Sequence, residues 1–339
     1  MMLSDRQPPS ISCVFPAFNE AGNLQALVPE ALALLAGLSG RFEVIVVDDG
    51  SQDDTAHVMK MLCKTHPDVI SLTLSRNFGK EAALTAGIDA ARGEVVILMD
   101  ADGQHPPSLL PLMLQKWEQG FDVVYALRKT RDDQSSLQVS LTAKFYKLVN
   151  WGSRVTIPAD AGDFRLMDRR VVEALKSLPE RNRFMKGLYA WVGFSSTAID
   201  YEPLPRISGN TNFGLRNSLS LALTGLVAFS STPLRALTWL GLAVSLASLA
   251  YGLLIIVKVF LIGIEVPGYA SIMVAMMFLS GIQLLSIGVL AEYVGRIYEE
   301  VKRRPTYLIS DRDGTGLGSV TGTRAVEPLK SVAHEARTL

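Results

Sequence analysis

Over the first 200 residues, short continuous apolar runs alternate with stretches of helical periodicity. The runs SISCVF (10–15), FEVIVVD (42–48), VISLTL (69–74), EVVILM (94–99) and FDVVYAL (121–127) predict strands. Helical patterns fall at 20–37, 53–65, 80–91, 108–119 and 135–150. Strands without polar alternation are covered on both faces, so the pattern predicts an α/β domain with a mainly parallel sheet between helical layers. Ligands of such sheets bind outside the carboxyl ends of the strands.

Further along, the pattern changes character. Residues 236–257 carry no charge over 22 positions, and residues 266–291 carry none over 26. At about 1.5 Å per residue, each run is long enough to cross a hydrocarbon layer of roughly 30 Å. Buried core helices are the competing reading, which uncharged runs of this length disfavour. The expected transmembrane helices span 235–263 and 267–295, joined by a short link as a hairpin. Arg206, Arg216 and Arg235 precede the pair, and Arg296, Lys302, Arg303 and Arg304 follow it, against only Lys258 and Glu265 near the link. The positive-inside rule puts the large N-terminal domain and both termini in the cytoplasm, at an inner (plasma) membrane. Between the domain (1–212) and the hairpin lies a segment at 213–234. There Leu215, Leu219, Ala222, Leu223, Leu226 and Val227 recur at helical spacing. It predicts an amphipathic helix, lying in the membrane interface or packed on the soluble domain, that Pro233 ends or kinks. The tail, 296–339, turns polar and Gly-rich after Pro305 and is expected to be disordered after about 310.

Composition narrows the classes. Thirty-three basic residues balance thirty-three acidic ones, which argues against a nucleic-acid binder. Cys13 and Cys63 are too few for a disulfide framework and read as inert thiols in a reducing compartment. The N-terminal MMLSDRQPPS has no apolar core and does not read as a signal peptide.

Polar residues gather at the predicted strand ends. The first strand runs into Pro16, Phe18, Asn19 and Glu20, the second into Asp48, Asp49, Gly50 and Ser51, and the third into Arg76, Asn77 and Lys80. No G-x-G-x-x-G follows a strand, and Gly79-Lys80 lacks the rest of a phosphate loop. The stretch DDGSQDDT by itself reads equally as a turn and helix cap. Asp100 and Asp102, flanking one alanine at the end of the fourth strand, are more specific. Carboxylates so close repel, a cost tolerated when a cation lies near, and hard oxygens suit Mg2+ or Mn2+. His105 is a further possible ligand, or a hydrogen-bonding residue beside Pro106.

Six ordered motifs carry a resemblance. They are FPAFNE, VVDDGSQDDT, SRNFGKEAALTAG, MDADGQHPP, AGDFRLMDRRVV and RFMKGLYAWVGF, followed by two apolar spans and RIYEEVKRRP. Over about residues 10–310, the chain resembles the family 2 polyprenyl-phosphate glycosyltransferases, which include dolichol-phosphate mannose synthases, and it is most similar to their bactoprenol glucosyltransferase branch. The resemblance implies a GT-A (Rossmann-like) fold, a nucleotide-sugar donor, a divalent metal and inverting transfer of a sugar to a polyprenyl phosphate at the bilayer. It also implies homo-oligomerisation, as a tetramer. Pro16, Phe18, Glu20 and Asp49 match residues around the base and ribose, with Lys80 close by. Asp100, Ala101, Asp102 and Gln104 match the metal and diphosphate motif. Arg128 and Arg131 match basic residues near the acceptor phosphate, Arg206 a phosphate-facing arginine, and Asp163 the catalytic aspartate, with Asp102 also assigned to catalysis. One departure is Asn212, which stands where the family has lysine in R-x-x-G-x-[ST]-K. An amide brings no charge to a diphosphate, so donor binding then relies more on Arg206 and the metal.

The chemistry has its own logic. Departure of a nucleoside diphosphate is assisted by a divalent cation facing its oxygens. The acceptor phosphate, with a second pKa near about 6, is already largely dianionic at neutral pH. A strong base is therefore dispensable, and Asp163 is expected to orient groups or stabilise positive charge at the sugar. The expected donor is UDP-glucose, with GDP-mannose or a UDP-amino sugar as alternatives. A lipid-linked sugar flippase is disfavoured because the spans lack a buried charge pair. A catalytically dead nucleotide-sugar sensor is disfavoured by the intact acidic motif.

Overall fold

The computed structural model describes residues 8–128, 161–181, 183–204, 232–262 and 268–317. The first half is a regular alternation of β1 (Ile11–Ala17), α1 (Ala21–Leu38), β2 (Phe42–Asp48), α2 (Thr55–Thr65), β3 (Val69–Leu74), α3 (Lys80–Ala90) and β4 (Val95–Leu98). A 3-10 turn (Pro107–Leu109), α4 (Leu110–Glu118) and β5 (Val123–Arg128) follow. Then come β6 (Ala161–Asp168), α5 (Arg169–Ser177), α6 (Met185–Trp191) and β7 (Ser196–Tyr201). The predicted strands and helices of the first 128 residues lie where their patterns placed them, within about two residues. The helix expected at 135–150 lies outside the described residues.

The eight-stranded sheet has the order β7-β5-β6-β4-β1-β2-β3-β8, where β8 (Ile309–Asp313) belongs to the tail. β1, β2, β3 and β4 pair in parallel, whereas β6 runs antiparallel to both β4 and β5, and β8 antiparallel to β3. β5 pairs in parallel with β7, so six of the eight strands run in one direction and the sheet is mainly parallel, as expected, with β6 and β8 opposed. β6 escapes detection because AGDFRLMD interleaves charge with apolar residues. Phe164 and Leu166 join the core on one side of the sheet, and Met167 joins the core on the other. Alternate residues of β1 do the same, with Cys13 and Phe15 on one side and Val14 on the other. Close approach fixes α3 over β1: a Cβ on Gly87 would stand 2.2 Å from Val14 Cγ1. This seats the first turn of α3, with Lys80, at the carboxyl ends of the strands.

Two long helices follow, α7 (Thr232–Ile262) and α8 (Tyr269–Lys302). Pro233 sits in the first turn of α7, where a missing amide costs nothing; residues 213–231 of the helix predicted over 213–234 lie outside the described residues. Both helices are long and apolar enough to cross a membrane, as α1 also is. Their surroundings differ. α1 buries Leu24, Leu27, Val28, Ala31 and Leu35 against the sheet, whereas Phe260 and Met277 of the long helices are 86% and 72% exposed.

The tail corrects an expectation. Of the residues predicted as disordered after about 310, those described, to 317, return to the domain, and β8 adds an edge strand to β3. Glu300 accepts the Arg181 amide at 2.9 Å, and Arg303 ends α8 in the left-handed region at φ 51°. Tyr307 then donates to Asp89 at 2.8 Å, and the Leu317 amide donates to Glu43 at 3.0 Å. The polar sequence ISDRD hides this strand because an edge strand faces solvent and needs only its backbone to pair.

Candidate active site

The strand order reverses between β1 and β4, and the carboxyl ends of those two strands form the crevice that α/β sheets use for ligands. β1 delivers Pro16 and, half-buried beyond it, Phe18. Glu20 caps the entry to α1, its amide donating to Thr55 Oγ1 at 3.1 Å. β4 delivers Asp100, Ala101, Asp102 and Gln104, with Ala101 buried and both aspartates partly open. Asp102 Oδ1 accepts the Gln104 amide at 3.0 Å, which shapes the loop after the strand.

Asp48 and Asp49, at the end of β2, are buried and hold loops. Asp48 Oδ1 accepts the Ser51 amide at 2.8 Å. Asp49 accepts the amides of Phe78 and Gly79 at 2.7 and 2.8 Å, one on each oxygen. Burial raises its pKa, with those two amides pulling the other way. Gly50, at φ +70°, crosses the Arg76–Asn77 peptide so closely that a Cβ would sit 2.6 Å from Arg76 C. These contacts lock the approach to α3 and hence the position of Lys80.

Lys80 is the hub. Its ammonium lies 2.6 Å from Asp100 Oδ1 and 2.8 Å from Asp163 Oδ2, joining the end of β4 to the start of β6. Burial would lower its pKa, but the carboxylates of Asp100 and then Asp163 outweigh that and hold it well above the lysine range. Burial would likewise raise Asp163, yet Lys80 and then Lys186 overcome it, and the carboxyl stays well below the usual carboxylate range. Around this centre lie Glu81, Lys186, Arg165 and Tyr189. Burial and the nearby Asp163 push Glu81 up to about 7. The Arg165 guanidinium stacks 3.4 Å over the Tyr189 ring and donates to the Gly162 carbonyl at 2.6 Å.

The opposite face of β6 supports the acidic loop. His105 stacks on Phe164 with centroids 4.8 Å apart and meets Tyr201 edge-on at 5.8 Å. Its Nδ1 accepts the Asp100 amide at 3.2 Å. Burial lowers its pKa, in keeping with a neutral ring whose Nδ1 is an acceptor. That nitrogen is engaged with the backbone, so the histidine acts as a hydrogen-bonding support for Asp100. Arg128 ends β5 in register with Tyr201 of β7. Burial lifts the Tyr201 hydroxyl to about 12, with Arg128 opposing and Asp100 and Asp102 adding to the rise, which places all four within electrostatic reach.

The structure therefore brings together Lys80, Asp100, Asp163 and, around them, Asp102 and Arg128. Lys80, expected beside the base and ribose, bridges two carboxylates. Arg131, Arg206 and Asn212 lie outside the described residues. Sequence reasoning passed over Glu81, Arg165, Lys186 and Tyr189, whose only signal was charge and hydroxyl inside otherwise apolar patterns. A cavity of about 470 Å³ lies at the far end of α3, lined by Asp89, Arg92, Arg169, Glu173, Lys176 and Arg312. Arg169 there is spent on the Ala91 and Gly93 carbonyls, and the acidic strand ends do not adjoin it.

The Rossmann-like α/β sheet thus carries paired carboxylates at its switch point, one of them tied by a lysine to a third. The family model for glycosyl transferase family 2 matches residues 12–176, and that for the GtrB C-terminal hairpin matches residues 232–297. An uncharacterised glycosyltransferase of Synechocystis sp. is 46% identical over 89% of this chain and 95% of its own. The SfII prophage-derived bactoprenol glucosyl transferase of Shigella flexneri is 42% identical over 88% of this chain and 97% of its own. Among solved structures, Mycobacterium tuberculosis glucosyl-3-phosphoglycerate synthase with Mn2+, uridine-diphosphate and phosphoglyceric acid matches at a TM-score of 0.45. It is 20% identical, over 65% of this chain and 76% of that one. The chain belongs to glycosyl transferase family 2.

Proposed function

We propose that this glycosyltransferase moves glucose from UDP-glucose onto a polyprenyl phosphate, with inversion, at the cytoplasmic face of a membrane. The observation that carries this reading is the Lys80 bridge, which assembles Asp100 and Asp163 at the switch point of the sheet. Relatives named bactoprenol glucosyl transferases, similar along nearly their whole length, support the sugar and acceptor. The exposed apolar faces of α7 and α8 support a membrane hairpin, since large exposed apolar surfaces need a non-aqueous neighbour. With basic residues flanking the pair, both ends face the cytoplasm. Assembly as a homo-tetramer completes the reading.

Among the described residues no three His, Cys, Asp or Glu side chains form a protein-only metal cage. Two partly open carboxylates fit instead an ion that completes its shell with substrate oxygens. Asp100 and Asp102, with Gln104, would hold Mg2+ or Mn2+, which when bound supplies positive charge facing the diphosphate. In this reading Pro16, Phe18, Glu20 and Asp49 serve the nucleotide, and Arg128, Arg131 and Arg206 are assigned to phosphates. An acceptor phosphate oxygen attacks the anomeric carbon as the bond to the diphosphate breaks and its electron pair leaves with UDP. Asp163, held ionised far below neutral pH, is a poor proton acceptor. It acts by orienting groups and stabilising positive charge developing at the sugar, while the arginines offset repulsion between two phosphates.

A panel of nucleotide sugars with one fixed polyprenyl phosphate tests the reading. UDP-glucose should give lipid-linked glucose and UDP in equal amounts. Turnover confined to another donor, or donor binding without lipid-dependent turnover, would refute it.

A further inference from the structure

Glu81 follows Lys80 in the first turn of α3, yet no step of the transfer described so far employs it. Its carboxylate reaches across the chain to accept the amide of Met185 at 3.1 Å. Met185 opens α6, so the carboxylate sits at a helix N-terminus, where an acceptor and a negative charge are both favourable. The next residue, Lys186, is the cation that ranks after Lys80 in holding Asp163 ionised. Two neighbouring residues of α3 thus act on one carboxylate by different routes. Lys80 touches Asp163 directly, and Glu81 anchors the helix that carries the second ammonium.

The groups facing Glu81 are Lys80 on its own helix, Asp163 and Arg165 on β6, and Lys186 and Tyr189 on α6. A carboxylate buried beside another carboxylate is an unfavourable choice if packing is the only requirement, because an apolar side chain fills the space without that repulsion. We propose that Glu81 is a positioning residue for glycosyl transfer. By tying the first turn of α6 to the first turn of α3, it holds Lys186 within electrostatic reach of Asp163, so that ammoniums from two helices orient that carboxylate. This deepens the proposed function and rests on the role given there to Asp163.

The test is a double-mutant cycle on the full chain in detergent or membranes, with UDP-glucose and polyprenyl phosphate. Glu81→Ala and Lys186→Met should each lower kcat about tenfold, with the KM for UDP-glucose within about twofold. The double variant should also lose about tenfold, because the two changes break one arrangement. Glu81→Gln keeps an acceptor for the Met185 amide and should recover kcat to within about threefold of wild type. Should Glu81→Ala not fold, Glu81→Asp, one methylene short of Met185, serves as the breaking variant. Losses that multiply to about a hundredfold, or a Gln variant as slow as the Ala variant, overturn the proposal. Asp163→Asn run alongside separates the two readings. If it turns over at the wild-type rate, the role given to Asp163 fails; if it is slow while the cycle is additive, only the anchoring by Glu81 fails.

Discussion

Glu43 and Asp163 are both carboxylates sunk into the same sheet at opposite ends of its strands, and they are satisfied in opposite ways. Glu43, fully buried, accepts the Ser12 hydroxyl at 2.6 Å and the amides of Arg92 and Leu317 at 2.8 and 3.0 Å. These three are neutral donors fixed by the fold, which join β1, the α3–β4 turn and the tail. Asp163 is met by the side-chain ammonium of Lys80, which it shares with Asp100, and by the field of Lys186. A carboxylate closed off by backbone and hydroxyl donors is structural. One balanced by side-chain cations at the carboxyl ends of the strands can exchange those partners for a substrate.

The comparison predicts separable losses. The largest belongs to the acidic loop: Asp102→Asn should lower kcat by about 10³-fold or more while leaving the melting temperature near wild type, and excess chelator should do the same. Full turnover in chelator would remove the metal from the scheme. Asp163→Asn should lower kcat by about 10²-fold with little change in donor KM. Because its pKa lies far below the working range, no acidic limb of the wild-type pH profile should vanish in that variant. A limb that does vanish would make Asp163 a base.

At the other end of the sheet the readout reverses. Glu43→Gln places amide donors against backbone donors and should cost about 1–3 kcal/mol of stability, read as a lower melting temperature, with kcat per folded molecule unchanged. An equal drop in kcat would mean that the two ends are coupled.

The smallest effect is a pH signature at Glu81. Its pKa rises from 4.5 to about 7 on folding, so the folded chain binds more protons than the unfolded one across that window. Stability contributed by this group is therefore present below about pH 4.5 and is lost as pH rises through 7. Glu81→Gln removes that slope. It should melt higher than wild type at pH 8, by about 1 kcal/mol after allowance for solvent screening, and equal to it near pH 4.5. Thermal melts at the two pH values decide it, and a variant less stable at pH 8 would refute the shift.

The acidic pair Asp100 and Asp102 was legible in the sequence because an apolar strand that stops at two carboxylates needs no partner to be recognised. The same holds for the first five strands and the two long helices, whose hydrophobic period or run length is a local property. Asp163 was placed only by resemblance, because the strand that carries it alternates charge with core residues and carries no clean period. Its neighbours Glu81, Arg165, Lys186 and Tyr189 read as ordinary helix and strand residues until α3, β6 and α6 are packed. The tail shows the same limit from the other side. Nothing in ISDRD demands a strand, and the unpaired edge of β3 supplies the demand.

What the sequence determined by itself was periodicity, charge balance and the residues at strand ends, since these depend only on neighbours along the chain. What the tertiary structure decided was pairing. It inserted β6 antiparallel between β4 and β5, returned the tail to the sheet, and set one lysine between carboxylates twenty and eighty-three residues away. An ammonium chooses its partners by distance in space, and those distances exist only after the helices have closed over the sheet.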